Sequence, residues 1–114
     1  MTQTPAAGVT EAVSPVVSGL VQLIAPRKLP RIEAEQRLVG DLGFHSLVLA
    51  ELGYNLEELY DLRPLNPEEA MKLERVSDVI ALVCAEVTEG RAQLPEEDAV
   101  TSVFARYGYE GPAA

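Results

Sequence analysis

Apolar residues recur along this chain at intervals of three and four, the period of a helix lying against a core. Val16, Val17, Leu20, Leu23 and Ile24 form the first such stripe. Leu49, Leu52, Leu56, Leu59 and Tyr60 form a second, and Val76, Val79, Ile80, Val83, Cys84 and Val87 a third. Val100, Val103, Phe104 and Tyr107 form the last. The pattern predicts an all-α protein.

Caps and breakers set the expected ends. Ser14-Pro15 reads as the start of the first helix, with Ser14 as cap and Pro15 at the first helical position, where a missing N–H costs nothing. A start near Thr10 sets Pro15 against the preceding turn, so the later start is expected and residues 1–12 are taken as a flexible leader. Pro26 ends that helix. The second helix is expected over 46–60, with Ser46 as its cap. Asp61-Leu62-Arg63-Pro64-Leu65-Asn66-Pro67 then breaks the chain. Asn66, followed by Glu68 and Glu69, marks a short third helix, in which Met71 is expected to fill core space. The fourth helix is expected over 76–89, with Ser77 a candidate cap and Gly90 the stop. Pro95 and the acids Glu96, Glu97 and Asp98 predict a fifth helix, closed by Gly108 and Gly111-Pro112.

Residues 27–45 make a connection of a length that is uncommon and usually functional. Ile32, Leu38 and Leu42 are expected to anchor it on the core. Arg27, Lys28, Arg31 and Arg37 supply four of the nine basic residues, read as a solvated cluster paired with Glu33, Glu35 and Asp41 rather than as a binding patch.

With 114 residues, the chain suits one domain with a modest core. It has no Trp and two Phe, so that core is aliphatic, and packing Phe104 into it is the simplest role for the fifth helix. The formal net charge of −9 sets the chain against a phosphate backbone, and no nucleic-acid partner is expected. A single cysteine, Cys84, allows no disulfide within the chain and is expected to be an inert thiol beside the core. No signal-peptide pattern or membrane-length apolar run is present in the sequence, so a cytoplasmic protein without membrane contact is expected. It is expected to be a monomer.

The chemistry concentrates at Ser46. A serine at a helix start either caps the helix, which is the commoner role on spacing alone, or carries a group on its hydroxyl; the two are compatible. A phosphate there would lie on free backbone N–H donors at the positive end of the helix dipole, with Gly43 allowing a tight turn beside it. Asp41-Leu42-Gly43-Phe44-His45-Ser46-Leu47, with Glu51-Leu52 and Leu56-Glu57-Glu58 behind it, resembles an acyl carrier protein. The likeness extends through Asp61 and Pro64, Glu68-Glu69-Ala70 and Val76 to Val83, and spans roughly Val13 to Val87. In that family the serine of a D-L-G-x-D-S-L stretch is esterified by 4′-phosphopantetheine, whose thiol carries acyl or aminoacyl groups. His45 stands where many members have aspartate, Phe44 is similar to modular polyketide carriers, Val48-Leu49-Ala50 is unusually apolar, and Arg75 replaces a usual threonine.

The resemblance implies a four-helix carrier bundle over residues 13–90, with a long loop between the first two helices and a short third helix. Residues 91–114 then form an extra helical extension. It implies a non-enzymatic carrier, discrete and stand-alone, in a fatty-acid, polyketide or nonribosomal peptide type of pathway. Its partners would be a phosphopantetheinyl transferase and acyl-loading and acyl-transferring enzymes. Leu47, Ala50 and Tyr54, flanked by Glu51, Glu57 and Glu58, would form a docking face, although an ordinary solvated face has the same pattern. The alternative function is an acidic helical adaptor of the same fold with an unmodified Ser46.

Other chemistry finds no footing. His45 and Ser46 are adjacent at a helix start and diverge, so they do not pair as base and nucleophile. Asp41 and His45 are too few for a metal site, no calcium loop has the required ligand spacing, and there is no glycine-rich nucleotide loop.

Overall fold

The computed structural model describes residues 5–108, which form five helices and no strand. They are α1 (Pro5–Ile24), α2 (Ser46–Tyr60), α3 (Pro67–Met71), α4 (Val76–Thr88) and α5 (Glu97–Ala105). The protein is a small all-α bundle. Residues 1–4 and 109–114, including Gly111-Pro112, lie outside the described residues.

The first helix corrects the expected start at Ser14. It begins at Pro5 and runs through Pro15, so the expected leader is helical over its described part. An internal proline removes one hydrogen bond and crowds the preceding turn, at a cost of about 3 kcal/mol. Packing offsets it. Val13 is fully buried one turn ahead of Val17, Val9 packs against the core, and the Cys84 thiol of α4 donates to the Thr10 hydroxyl across 3.7 Å. The Pro15 ring itself faces solvent, where it displaces no core side chain. The buried row is Val13, Val17, Leu20, Val21 and Ile24, with Val16 and Leu23 at its margins.

The connection between α1 and α2 is strapped down along its length. Leu38, Leu42 and Phe44 are buried and Ile32 is half-buried, so the three expected anchors hold and Phe44 joins them. Leu38 N–H donates to Glu74 O at 2.9 Å, while Val76 and Ser77 N–H donate to Gln36 O and Ala34 O at 3.0 and 2.9 Å. These loop carbonyls, with Asp78 Oδ2 accepting from the N–H groups of Glu74 and Arg75 at 2.9 Å, close the start of α4. Ser77 is therefore not the cap, and α4 begins at Val76 with Arg75 at the capping position. The basic cluster pairs mainly with backbone rather than with acids. Arg27 donates to Gly40 O and Asp41 O at 3.2 and 2.8 Å, and Lys28 donates to Gln22 O and Leu23 O at 2.9 and 2.7 Å at the end of α1. Only Arg31 meets an expected acid, Glu33, at 3.7 Å.

Asn66 caps α3 as expected: Asn66 Oδ1 accepts from Glu69 N–H at 2.8 Å and Glu69 Oε1 accepts from Asn66 N–H at 3.2 Å. Met71 does not fill the core; it is 80% exposed, because α3 is a single short turn whose end stands clear of the bundle. Along α4, Val76, Val79 and Val83 are buried, and Gly90, with φ +83°, follows its end. Glu86 is also buried on this helix. Its carboxylate accepts from Arg91 at 2.8 and 3.1 Å and lies 3.9 Å from Arg63, tying the exits of α2 and α4 together.

The fifth helix packs on the bundle through Val100, Val103 and Phe104. A Cβ at Gly19 would lie 2.9 Å from the Phe104 ring, so α1 needs glycine there. Among the described residues no helix is long and apolar enough to cross a membrane.

Two predictions follow from this packing. Gly53 has open space around its missing Cβ, whereas Gly19 does not. Gly53→Ala gains about 0.5–1 kcal/mol from helix preference. Gly19→Ala loses stability, because overpacking of about 1–3 kcal/mol exceeds that gain; urea unfolding of the two variants measures the opposite signs. The hydrogen bonds from Arg91 hold the Glu86 carboxyl below its ordinary value, against the opposing effect of burial. The unfolded chain, with a value of about 4.3, therefore binds the proton more readily. The stabilisation is complete above that pH and is lost as pH falls through the folded value. Thermal melts of Glu86→Gln against wild type show the largest difference at neutral pH and a closing gap in acid.

Candidate functional site

The turn before α2 determines how Ser46 is presented. Leu42 N–H donates to Arg37 O, Gly43 N–H to Val39 O and Phe44 N–H to Leu38 O, at 3.0, 3.2 and 2.9 Å. Gly43 has φ +78°, a left-handed conformation that side chains disfavour, and a Cβ there would lie 3.6 Å from Arg27. With Phe44 buried, the chain emerges at His45, whose extended backbone (φ −133°, ψ 178°) is the capping position of α2. His45 O accepts the first helical bond, from Leu49 N–H at 2.8 Å.

Ser46 is thus the first helical residue and not the cap, a one-residue correction with a chemical consequence. Its side chain is exposed, and no hydrogen bond engages its hydroxyl among the described residues. The oxygen stands beside the free N–H groups of a helix of 15 residues, at the positive end of its dipole. His45 is exposed and provides no side-chain cap.

A cavity of about 990 Å³ opens alongside. Its lining comes from the long connection, α2 and the turn after it, the end of α3, and α4. Ser46, Leu49 and Leu56 of α2 form part of one wall, with Met71, Leu73 and Leu82 among the residues opposite. Arg37, Glu57, Arg63 and Glu74 add charge to an otherwise largely apolar lining. Met71, displaced from the core, stands at this cavity.

The expected docking residues divide into two groups. Leu47 and Tyr54 are 76% and 65% exposed, and Ala50 is exposed between them and also borders the cavity. Of the three flanking acids, Glu57 has no side-chain partner among the described residues, while Glu51 and Glu58 are held by the turn that follows α5. Arg106 donates to both Glu58 oxygens at 2.6 and 2.9 Å, and the Tyr107 hydroxyl donates to Glu51 Oε2 at 2.6 Å. Between them lies the buried Asn55, whose Nδ2 donates to Glu51 O at 2.9 Å and to the Tyr107 hydroxyl oxygen at 3.0 Å. Its Oδ1 accepts from Arg106 at 3.2 Å. The Arg106 hydrogen bonds hold the Glu58 carboxyl below its ordinary value; burial and the bond to Glu51 push the Tyr107 phenol up.

Asn55, Arg106 and Glu86 were not picked out from the sequence. Asn55 stands in the inward row of Leu52, Leu56 and Leu59, and Glu86 lies three residues past Val83, so helical spacing carried a signal for each. Arg106 carried none, since its partner is 48 residues away.

Among the described residues no group of three or more His, Cys, Asp and Glu side chains is placed to hold a metal ion. Comparison of the chain with protein-family models, with curated proteins and with solved structures gives no match.

The caps give a prediction of their own. Ser46→Ala changes stability by less than about 0.5 kcal/mol, as for an exposed side chain without a partner. Asn66→Ala, which removes a formed cap, costs roughly 1 kcal/mol. Denaturant unfolding distinguishes the two, and an equal loss at Ser46 contradicts its position as an uncapping first residue.

Proposed function

We propose that the protein is an acyl carrier protein in which the Ser46 hydroxyl carries 4′-phosphopantetheine. The observation that supports this most directly is the exposed, unengaged hydroxyl at the first position of α2, beside a largely apolar cavity. The motif around Ser46 gives the reading its specific chemistry. When attached, the group supplies a flexible arm whose terminal thiol carries acyl or aminoacyl cargo.

The chain's own residues have three tasks. Free N–H groups in the first turn of α2 and the helix dipole favour an anionic phosphodiester on Ser46. The buried Leu38, Leu42 and Phe44 hold the preceding turn so that the oxygen stays at the surface and within reach of a transferase. Leu49, Leu56, Leu73 and Leu82 line space in which an apolar cargo can be screened from water. The proposal assigns no catalysis to the chain. It assigns instead a phosphopantetheinyl transferase as the modifying partner and separate acyl-loading and acyl-transferring enzymes as the clients of a cytoplasmic monomer.

Incubation with coenzyme A and a broad-specificity phosphopantetheinyl transferase tests the proposal. Intact-mass measurement shows wild type gaining one phosphopantetheine arm, while Ser46→Ala gains none. Unmodified wild type, alongside a known carrier that is converted in the same reaction, overturns the proposal. It leaves the acidic adaptor, acting through contacts alone, as the better account of the same fold.

A further inference from the structure

The cavity beside Ser46 holds one acid that nothing offsets. Arg37, Glu57, Arg63 and Glu74 are the charged residues of its lining. Arg63 is already matched: its guanidinium donates to Glu69 at 3.1 and 3.4 Å and lies 3.9 Å from Glu86, and neither of those acids lines the cavity. Arg37 and Glu74 belong to adjoining backbone, where Leu38 N–H donates to Glu74 O, and both are exposed. Their opposite charges stand in water on one strap and offset each other. Glu57 differs from both. It belongs to α2, is half-buried, and its carboxylate has no side-chain partner among the described residues.

The space leading to Glu57 suits a chain. Ser46, Ala50, Gly53 and Glu57 follow one another at helical spacing, so they share one side of α2 and all four line the cavity. From Ser46 to Glu57 that wall runs about three turns, or about 16 Å along the axis. Nothing lies within 4 Å of a Cβ built at Gly53, so the volume is open along the row. Leu49 and Leu56 flank it. A largely apolar cavity of about 990 Å³ with a few placed polar groups has the size and make-up of a ligand site. A carboxylate in such a place, partly removed from water and without a counter-charge, gains more from a bound ammonium than an exposed acid does.

We propose that this cavity binds an apolar chain bearing a primary amine, and that Glu57 is the residue that selects the ammonium. Charge complementarity carries the choice of occupant. With Arg63 matched by acids outside the cavity, and Arg37 and Glu74 offsetting each other, the lining lacks one positive charge, at Glu57. The leucines take the chain and the carboxylate takes the amine as a charge-assisted hydrogen bond. A carboxylate-bearing chain meets repulsion at the same place. The preference is a property of the unmodified protein. If Ser46 carries an arm, which rests on the function proposed above, the cavity favours amine-bearing cargo over plain fatty-acyl cargo.

The probes are n-octylamine, n-octanol and octanoate, which share a chain length and differ in charge. Each is titrated into unmodified full-length protein, with backbone amide shifts recorded by NMR. Wild type binds octylamine about threefold or more tighter than octanol, and octanoate most weakly, with shifts centred on Leu49, Gly53 and Glu57. Glu57→Gln keeps the shape and removes the charge: octylamine falls to the octanol value and octanol is unchanged. Glu57→Asp keeps the charge and retains the preference, which separates lost charge from a loosened fold. Glu11→Gln removes the same charge from the exposed side of α1, no described residue of which lines the cavity, and also retains it. Gly53→Leu fills the volume and weakens all three probes. The inference is overturned by a wild type without the amine preference, by a preference that survives Glu57→Gln or is lost equally in Glu11→Gln, or by shifts that lie away from the cavity. Because the probes need no arm, these outcomes leave attachment at Ser46 untouched, and a Ser46 that accepts no arm leaves the amine preference standing.

Discussion

Burial of Leu38, Leu42 and Phe44 fixes where α2 begins, and the candidate site depends on that position. These three side chains pull the long connection into the bundle, and its backbone then bonds to the start of α4 through Ala34, Gln36 and Leu38. Two helix starts are thereby set by one loop. The beginning of α4 is closed by carbonyls and N–H groups that the loop brings to it. The beginning of α2 follows directly from a buried aromatic and a left-handed glycine, which turn the chain outward at His45. A loop free to move would leave Ser46 at no defined place relative to the cavity. A loop held in this way presents the hydroxyl at the surface while the next inward residue, Leu49, joins the cavity wall.

The second organising feature is the use of buried polar groups as ties between segments distant in the sequence. Glu86 joins the exits of α2 and α4 through Arg63 and Arg91, and Asn55 joins α2 to the turn after α5. Both polar side chains stand in otherwise apolar helical rows, where an unpaired group would cost the full loss of its hydration. Each is therefore a point of specificity: the arrangement is stable only when the correct distant partner is in place. Tyr60 shows the contrast. Its ring is among the largest fully buried side chains, and burial pushes its phenol pKa up. Its hydroxyl has no partner among the described residues.

These ties change the electrostatics of the outer face of α2. Glu51 and Glu58 suggest, as sequence, an acidic border offered to basic proteins. In the folded chain both are committed to residues more than 45 positions away, and the face beside Ser46 is characterised by Leu47, Ala50 and Tyr54. The long-range field of an acidic chain still favours encounter with positively charged surfaces.

The sequence by itself determined the features that repeat locally. The stripes of α2, α4 and α5 follow from a period that any helix on a core must show, and the Asn66 cap from side-chain reach within one turn. Leu38 and Leu42 were legible as anchors because isolated apolar residues in a polar loop have few other uses. Ser46 was legible as a helix-start hydroxyl, though not to the residue. Only the tertiary structure decided the rest. Helix α1 passes Pro15 because burying Val13 against the bundle outweighs a local penalty. Met71 is exposed because α3 is too short to return its end to the core. The cavity arises where the long connection, α2, α3 and α4 come together, and the partners of Glu51 and Glu58 arise from where α5 lands. Local periodicity is a property of one segment; a cavity or a distant ion pair is a property of several segments together, and no single stretch of sequence carries it.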